Sequence, residues 1–305
     1  MRVAVLGATG FIGNKIVDLH LNRNDEVNIF TRNGQYTKIG TKLFIGDIRK
    51  PNIALERCLH NVDVLYNCAG EIVDESKMYA LHVKGTADLI SIAKSRIGKW
   101  IQLSSVGAYG NPKEKIVTEL MPESPNNIYE LTKTISDEYV RNSGIEYNIL
   151  RPSIVFGSGM PNQSLYTLIK MIKKGFFFFI GKRGFIVNYV HVDDVARALL
   201  LLGIERECVN DVFILSQNTS IEKMISAFKS GMQCKRHTIR LPENPVRVIS
   251  KVLDLFPNPI LTSARINNLT NKTIYSSRKI EEQIGFKYIN SLEKDLFRFS
   301  VENEE

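Results

Sequence analysis

Apolar positions in the first half of the chain follow two alternating periods. "RVAVLG" (2–7), "EVNIF" (26–30), "KLFIG" (42–46), "VDVLYNC" (62–68) and "KWIQLSS" (99–105) are short runs rich in β-branched and aromatic residues, and they predict strands. Between them, "FIGNKIVDLHLNRN" (11–24) repeats Ile12, Ile16 and Leu19 at helical spacing, and "PNIALERCL" (51–59) and "MYALHVKGTADLISIAKS" (78–95) also read as helical. Strands that alternate with helices imply βαβ crossovers, hence a doubly wound parallel sheet with helices on both faces. Ligands of such sheets bind outside the carboxyl ends of the strands.

After Arg151 and Pro152 the alternation loosens. "SLYTLIKMIKKGFFFFIGKRG" (164–184) carries Leu165, Leu168, Ile169 and Ile172 on one helical stripe, followed by the strand-like run Phe176 to Phe179. A basic amphipathic helix beside phenylalanines is compatible with a membrane surface. A core helix and buried strand flanking a substrate pocket is the preferred reading, because the apolar run has the length of an ordinary buried strand. "YVHVDDVARALLLLGI" (189–204) returns to helix, with Asp193 and Asp194 in a first turn where carboxylates suit the helix dipole; His191 and both aspartates read as structural. Farther on, Pro242, Pro245, Pro257 and Pro259 mark turns, and "VENEE" reads as a frayed acidic end. The division predicted is a nucleotide-binding domain over 1–152 with a returning segment at about 186–215, and a smaller α/β substrate lobe from 153–185 and 216–305.

Composition narrows the function classes. The N-terminus shows no signal-peptide pattern, and no apolar run approaches the roughly 18 residues of a membrane span, so no integral membrane segment is expected. Cys58, Cys68, Cys208 and Cys234 are scattered, without histidines at ligand spacing; they read as reduced packing thiols of a cytoplasmic protein that holds no metal. A net charge of +8 suits anionic ligands, but the basic residues look dispersed and no arginine-rich arm is present, which argues against nucleic acid.

The first strand ends in "GATGFIG", with Gly7, Gly10 and Gly13 opening a helix. Gly7 allows a tight turn, Gly10 lets backbone amides approach a pyrophosphate, and Gly13 lets helix and strand pack closely. Dinucleotide binding follows, with Thr9, Phe11 and Ile12 in the same turn. The second strand ends in Thr31 and Arg32, where an acidic residue would accept from ribose hydroxyls. A guanidinium pairs with a 2′-phosphate, so NADP(H) is preferred over NAD(H). In "NIYELTK", Tyr129 and Lys133 lie one helical turn apart, with Cβ atoms roughly 5–6 Å from each other. Ser105 follows "WIQLS" at the carboxyl edge of the sheet.

"GATGFIG", "GDI", "NCAG", "GT" (Gly85, Thr86), "LSSVGAYG", "YELTK", "LRPSIVFG" and "YVHVDDVARAL" occur in an order that resembles the extended short-chain dehydrogenase/reductase family, the NAD(P)-dependent epimerase/dehydratase group. The resemblance runs from residue 1 to about 200, and "IYSSRKIEEQIGFKYINSLEKDL" (274–296) continues it. It implies that Asp47 and Ile48 hold the adenine, that Cys68, Ala69 and Gly70 pass under the cofactor, and that Ser105, Tyr129 and Lys133 are catalytic, with Ser104 beside the substrate. The implied partner is a nucleotide-sugar, and a homodimer is compatible with the pattern.

Departures refine the expectation. Val106 and Gly107 stand where sugar 4,6-dehydratases of the family carry an Asp-Glu pair, which argues against water elimination. His82 replaces the usual asparagine of a proton relay and is either a hydrogen-bonding substitute or a packing histidine. Ile154 and Val187 replace an asparagine and an arginine that contact the nucleotide diphosphate, leaving Lys182, Arg183 and Asn188 as candidates. The expected function is a 4-keto reductase or 4-epimerase of a nucleotide-sugar. The alternatives are a reductase of an apolar ketone, of the hydroxysteroid or dihydroflavonol kind, and a non-catalytic NADP-binding regulatory protein.

Overall fold

A computed structural model describes residues 1–112, 114–253, 266 and 272–303. Its largest element is a seven-stranded, wholly parallel sheet. The strands are β1 (Arg2–Leu6), β2 (Glu26–Thr31), β3 (Thr41–Ile45), β4 (Val62–Asn67), β5 (Ile97–Leu103), β7 (Glu146–Pro152) and β11 (Asp211–Leu215), while the short β6 (Ile116–Val117) pairs outside it with Ile274–Tyr275. Their spatial order is β11-β7-β5-β4-β1-β2-β3, so the winding reverses between β1 and β4 and a crevice opens there at their carboxyl ends. All five strands expected from the first hundred residues are present in this sheet.

β1 shows why the sequence folds this way. Val3 and Val5 enter one core, with Ile16 and Val17 of α1 (Gly13–Asn22) and Leu199 and Leu202 of α7 (Val192–Ile204). Ala4 and Leu6 enter the other, with Leu55 of α2 (Ile53–Cys58), Leu89 of α4 (Gly85–Ala93) and Val140 of α5 (Ile128–Arg141). Alternate side chains thus bury into opposite layers, which is why the strand reads as a continuous apolar run.

The stretch 78–95 is not one helix. α3 (Glu75–Met78) passes into a π-helical turn over Tyr79–Lys84 before α4 begins, and this wide turn carries His82. Such turns occur mostly as single insertions and often at functional sites.

A third core belongs to the second half. Leu165, Ile169 and Ile172 of α6 (Ser164–Lys174) pack with Phe156 of β8 (Ile154–Phe156), with Phe228 of α8 (Ile221–Gly231), and with Leu296 and Phe299 of the helix Leu292–Glu302. The stripe of α6 is therefore core. The phenylalanine run is less regular than expected: only Phe179 and Ile180 form a strand, β9, while Phe177 is buried and Phe176 projects outward. β10 (Ile186–His191) joins β8 and β12 (Gln217–Ser220) in a separate three-stranded sheet, so the chain returns to the main sheet with α7 and β11. Pro245 lies in the first turn of α9 (Glu243–Leu253) instead of in a loop, where its missing N–H has no helical partner to lose. Pro257 and Pro259 lie outside the described residues. Val301 and Glu302 complete a helix, so the C-terminal segment is ordered farther than its charge implied.

Candidate active site

The crevice between β1 and β4 is built by close backbone approach. Gly7 has φ +77°, and a Cβ there would sit 2.6 Å from the Cys68 carbonyl oxygen. A Cβ on Gly13 would fall 2.2 Å from the Gly7 carbonyl oxygen, so α1 can start this near the strand only with glycine. The Gly10 N–H donates to the Gly7 carbonyl at 2.9 Å and closes the turn. No side chain caps α1, and its first turn holds no carboxylate. The helix therefore presents its positive end to the crevice without competition, as a bound pyrophosphate requires.

Gly7, Thr9, Gly10, Thr31, Arg32, Asp47, Ile48, Cys68, Ala69 and Gly70 line this crevice together. The side chains of Phe11 and Ile12 pack elsewhere, Phe11 against the core of α6 and α8 and Ile12 against the core of α1 and α7, so only their backbone is left to the turn. Gly85 lets the helix bearing it close against Ile48 of the crevice, since a Cβ there would meet the Ile48 side chain at 3.0 Å.

Arg49 also lines the crevice, and the sequence reading passed over it. Its guanidinium donates to the Asp47 carboxylate at 2.6 and 3.1 Å and holds that carboxyl below its ordinary pKa. The available signal was the aspartate of "DIR", a turn former: its carboxylate accepts from the Arg49 N–H at 3.0 Å, and the turn that follows brings the two side chains together. Arg32 and Lys77 stand at the same crevice with the carboxylates of Asp47 and Glu71; Arg49 is paired with Asp47 and Lys77 with Asp74.

Ser105, Tyr129 and Lys133, the candidate proton-handling residues, converge where β5 ends. Ser105 caps a short 3₁₀ turn, accepting from the Gly107 N–H at 3.1 Å, and its hydroxyl lies close enough to the Tyr129 phenol to favour the phenolate. Tyr129 occupies the first turn of α5, which Asn127 caps by accepting from the Glu130 N–H. Glu130 reaches back to the Asn126 N–H at 2.7 Å and fixes the entry of the helix. Lys133 is buried and donates from Nζ to the Leu103 carbonyl at 2.5 Å.

Burial dominates the titration of this group. It pushes the Tyr129 phenol up to about 12; the Asp137 charge raises it further and the Ser105 hydroxyl opposes the rise. Burial, and not the charge of Lys133 one turn away, therefore sets the titration of the phenol in the protein alone. Burial also lowers the Lys133 pKa, against the favourable charge of Asp137.

Asp137 is fully buried one turn beyond Lys133. It accepts from Ser104 Oγ at 2.6 Å and from Arg151 Nη2 at 2.9 Å. Ser104, a candidate substrate contact, thus turns inward, as the alternation of an extended strand dictates for the neighbour of Ser105. Arg151 also donates to Glu123 at 2.5 Å, and Arg141 holds the same carboxylate. This network under Lys133 was illegible in the sequence because its members come from β5, α5, β7 and a loop.

His82 sits 2% exposed between these layers. Nε2 accepts from the Glu71 N–H at 2.9 Å, which assigns the proton to Nδ1, 2.9 Å from Thr132 Oγ1. The ring also meets Tyr129 edge-on at 5.9 Å. It is a hydrogen-bonding substitute that ties the loop after β4 to α5. Burial lowers its pKa to about 3. Below pH 6.5 the unfolded chain takes up a proton that the folded chain refuses, so stability falls between about pH 6.5 and 3, by up to about 1.4 kcal/mol per pH unit. His20, also lowered by burial, adds to the same window. His82→Asn should show a shallower fall of Tm between pH 6.5 and 4.5 than the wild type; parallel curves would remove His82 as a source.

Asn188 is committed elsewhere: its amide donates to the Thr273 carbonyl at 2.8 Å and its oxygen faces the Tyr275 N–H. Lys182 and Arg183 lie in the exposed turn after β9. Ile154 is 48% exposed, whereas Val187 is buried. Among the described residues no cluster of histidine, cysteine and carboxylate side chains could hold a metal, and all four cysteines are free thiols. No helix of the described residues is long and apolar enough to cross a membrane.

A nucleotide-binding sheet with serine, tyrosine and lysine gathered at its carboxyl edge defines an enzyme of the extended short-chain dehydrogenase/reductase type. The chain belongs to the NAD dependent epimerase/dehydratase family, whose sequence profile matches residues 3–210. It is 30% identical over 249 residues to a putative UDP-glucose 4-epimerase of Methanocaldococcus jannaschii, covering 74% of this chain and 81% of that one. The sterol-4-alpha-carboxylate 3-dehydrogenase (decarboxylating) of Bos taurus is 24% identical over 94% of this chain and 88% of its own length. In structure, the UDP-glucose 4-epimerase of Thermotoga maritima, solved with UDP-glucose, superposes with a TM-score of 0.74 over 99% of this chain and 98% of that one, at 21% identity. Likeness at that identity establishes the shared fold.

Proposed function

We propose that this enzyme is an NADP(H)-dependent 4-keto reductase or 4-epimerase of a nucleotide-activated sugar. The observation that carries the reading is the convergence of Ser105, Tyr129 and Lys133 beside the glycine-lined crevice. A nicotinamide held there supplies two-electron oxidation and reduction at carbon. Tyr129 exchanges a proton with the substrate oxygen, and Ser105 donates a hydrogen bond to that oxygen as charge develops. Lys133 binds the nicotinamide ribose. The open end of α1 faces the pyrophosphate, and Asp47 and Ile48 flank the adenine.

Arg32 at the crevice supports NADP(H), because a guanidinium pairs with a 2′-phosphate through two charge-assisted hydrogen bonds. Arg32→Ala should weaken NADPH binding by about tenfold and leave NADH within about twofold, measured by fluorescence titration. A wild type that prefers NADH would overturn this choice.

Turnover distinguishes the two reactions. Conversion of UDP-glucose with retained cofactor identifies an epimerase; consumption of one NADPH per product identifies a reductase. A second reading has its own support in the exposed Ile154, the buried Val187 and the committed Asn188, which leave few groups for a diphosphate. It is a reductase of an apolar ketone. Turnover of a 3-ketosteroid with none of any nucleotide-sugar would establish it in place of the first.

A further inference from the structure

The basic residues that look dispersed along the sequence are gathered by the fold. Between 170 and 183 there are five lysines and arginines, and between 229 and 240 four more, with no aspartate or glutamate in either stretch. These nine charges, in a chain of net charge +8, leave the remainder one short of neutral. The two stretches run side by side: β9 pairs in parallel with β13 (Arg240–Leu241), the Phe179 N–H donates to the Ile239 carbonyl at 2.9 Å, and a Cβ on Gly175 would meet the Arg236 guanidinium at 3.1 Å. Two facing carboxylates are already engaged, Glu222 with Arg240 and Glu243 with Arg247.

Large apolar side chains stand in the middle of this charge. α6 ends at Gly175 in the left-handed conformation, with the Gly175 and Phe176 N–H groups donating to the Ile172 and Met171 carbonyls. In that helix ending the residue after the glycine commonly folds its side chain back on the helix. Here Phe176 is 67% exposed, and Ile239 on the neighbouring stretch is 63% exposed. A second copy of the chain would bring like charges together at this face. A nucleic acid would use the charges and leave Phe176 and Ile239 in water. A bilayer with anionic headgroups uses both, the cations at the phosphates and the apolar tips below them.

We propose that this edge of the smaller lobe docks on anionic lipid surfaces, with Phe176 and Ile239 inserted at the headgroup boundary and the surrounding lysines and arginines on lipid phosphates. Co-sedimentation with vesicles tests it. Partitioning onto phosphatidylcholine vesicles containing about 30% phosphatidylglycerol should exceed that onto pure phosphatidylcholine by about tenfold, and should weaken as salt rises from about 50 to 300 mM. Phe176→Ser with Ile239→Ser, and separately Lys235→Glu with Arg236→Glu, should each lose most of the partitioning, while NADPH binding is unchanged. A Phe176→Cys protein carrying an environment-sensitive dye should shift to the blue on anionic vesicles, a readout that does not depend on the multiple variants folding. Equal partitioning on neutral and anionic vesicles overturns the proposal. So does an unshifted dye, or binding to heparin and vesicles alike that ignores the Phe176 and Ile239 changes.

Discussion

Tyr129→Phe should lower kcat by about 10²–10⁴-fold while leaving the dissociation constant of NADPH within about twofold. The phenol hydroxyl is the titratable group placed beside Ser105, whereas the ring, which the variant keeps, is what packs against His82. Loss of the hydroxyl therefore removes proton exchange and spares the packing. The pH dependence gives an independent readout. Burial holds the phenol protonated with a pKa pushed up to about 12, so the free enzyme is supplied with a proton donor at neutral pH. In the reducing direction kcat/KM should stay flat from about pH 6 to 9, because the donor remains loaded throughout. In the oxidising direction kcat/KM should rise with pH over the same range, because only the deprotonated phenol accepts. Turnover by the Phe variant near the wild-type rate would eliminate Tyr129 as the proton carrier. A fall in NADPH affinity parallel to the fall in kcat would reassign it to positioning.

The sequence made the frame of this enzyme readable because each part of the frame rests on local rules. Buried parallel strands need continuous apolar runs, as "RVAVL" shows, and the turn from β1 to α1 needs glycine at positions 7 and 13, where any side chain would collide with backbone. The spacing of Tyr129 and Lys133 is likewise set by the helix on which both lie. What escaped was assembled across the chain. The network of Ser104, Asp137, Arg151 and Glu123 draws on the end of β5, α5, β7 and a loop, and no spacing rule connects them. The wide turn that aims His82 also left no trace, since its composition is that of the helices on either side of it. The positive face of the smaller lobe is a third case: two stretches some sixty residues apart are unremarkable until β9 and β13 pair.

Asp137→Ala should destabilise the protein by about 3–5 kcal/mol, the range found when one partner of a buried ion pair is removed. Arg151 is 1% exposed, cannot give up its proton, and would keep only Glu123 as a charged partner. The Ser104 hydroxyl would lose its acceptor in the same step. A thermal melt should show Tm lowered by about 10 °C, on the scale of a few degrees per kcal/mol for chains of this size. The double variant Asp137→Leu with Arg151→Met should recover much of the loss, because two apolar side chains replace a charge pair without leaving either charge alone. Catalysis should respond separately. Asp137 is the charge that sustains protonation of Lys133 against burial, so in Asp137→Asn the affinity for NADPH should fall away at lower pH than in the wild type. A single variant that melts within about 2 °C of the wild type would show that Glu123 alone suffices to hold Arg151. Unchanged pH dependence of NADPH binding would show that Lys133 keeps its proton without Asp137.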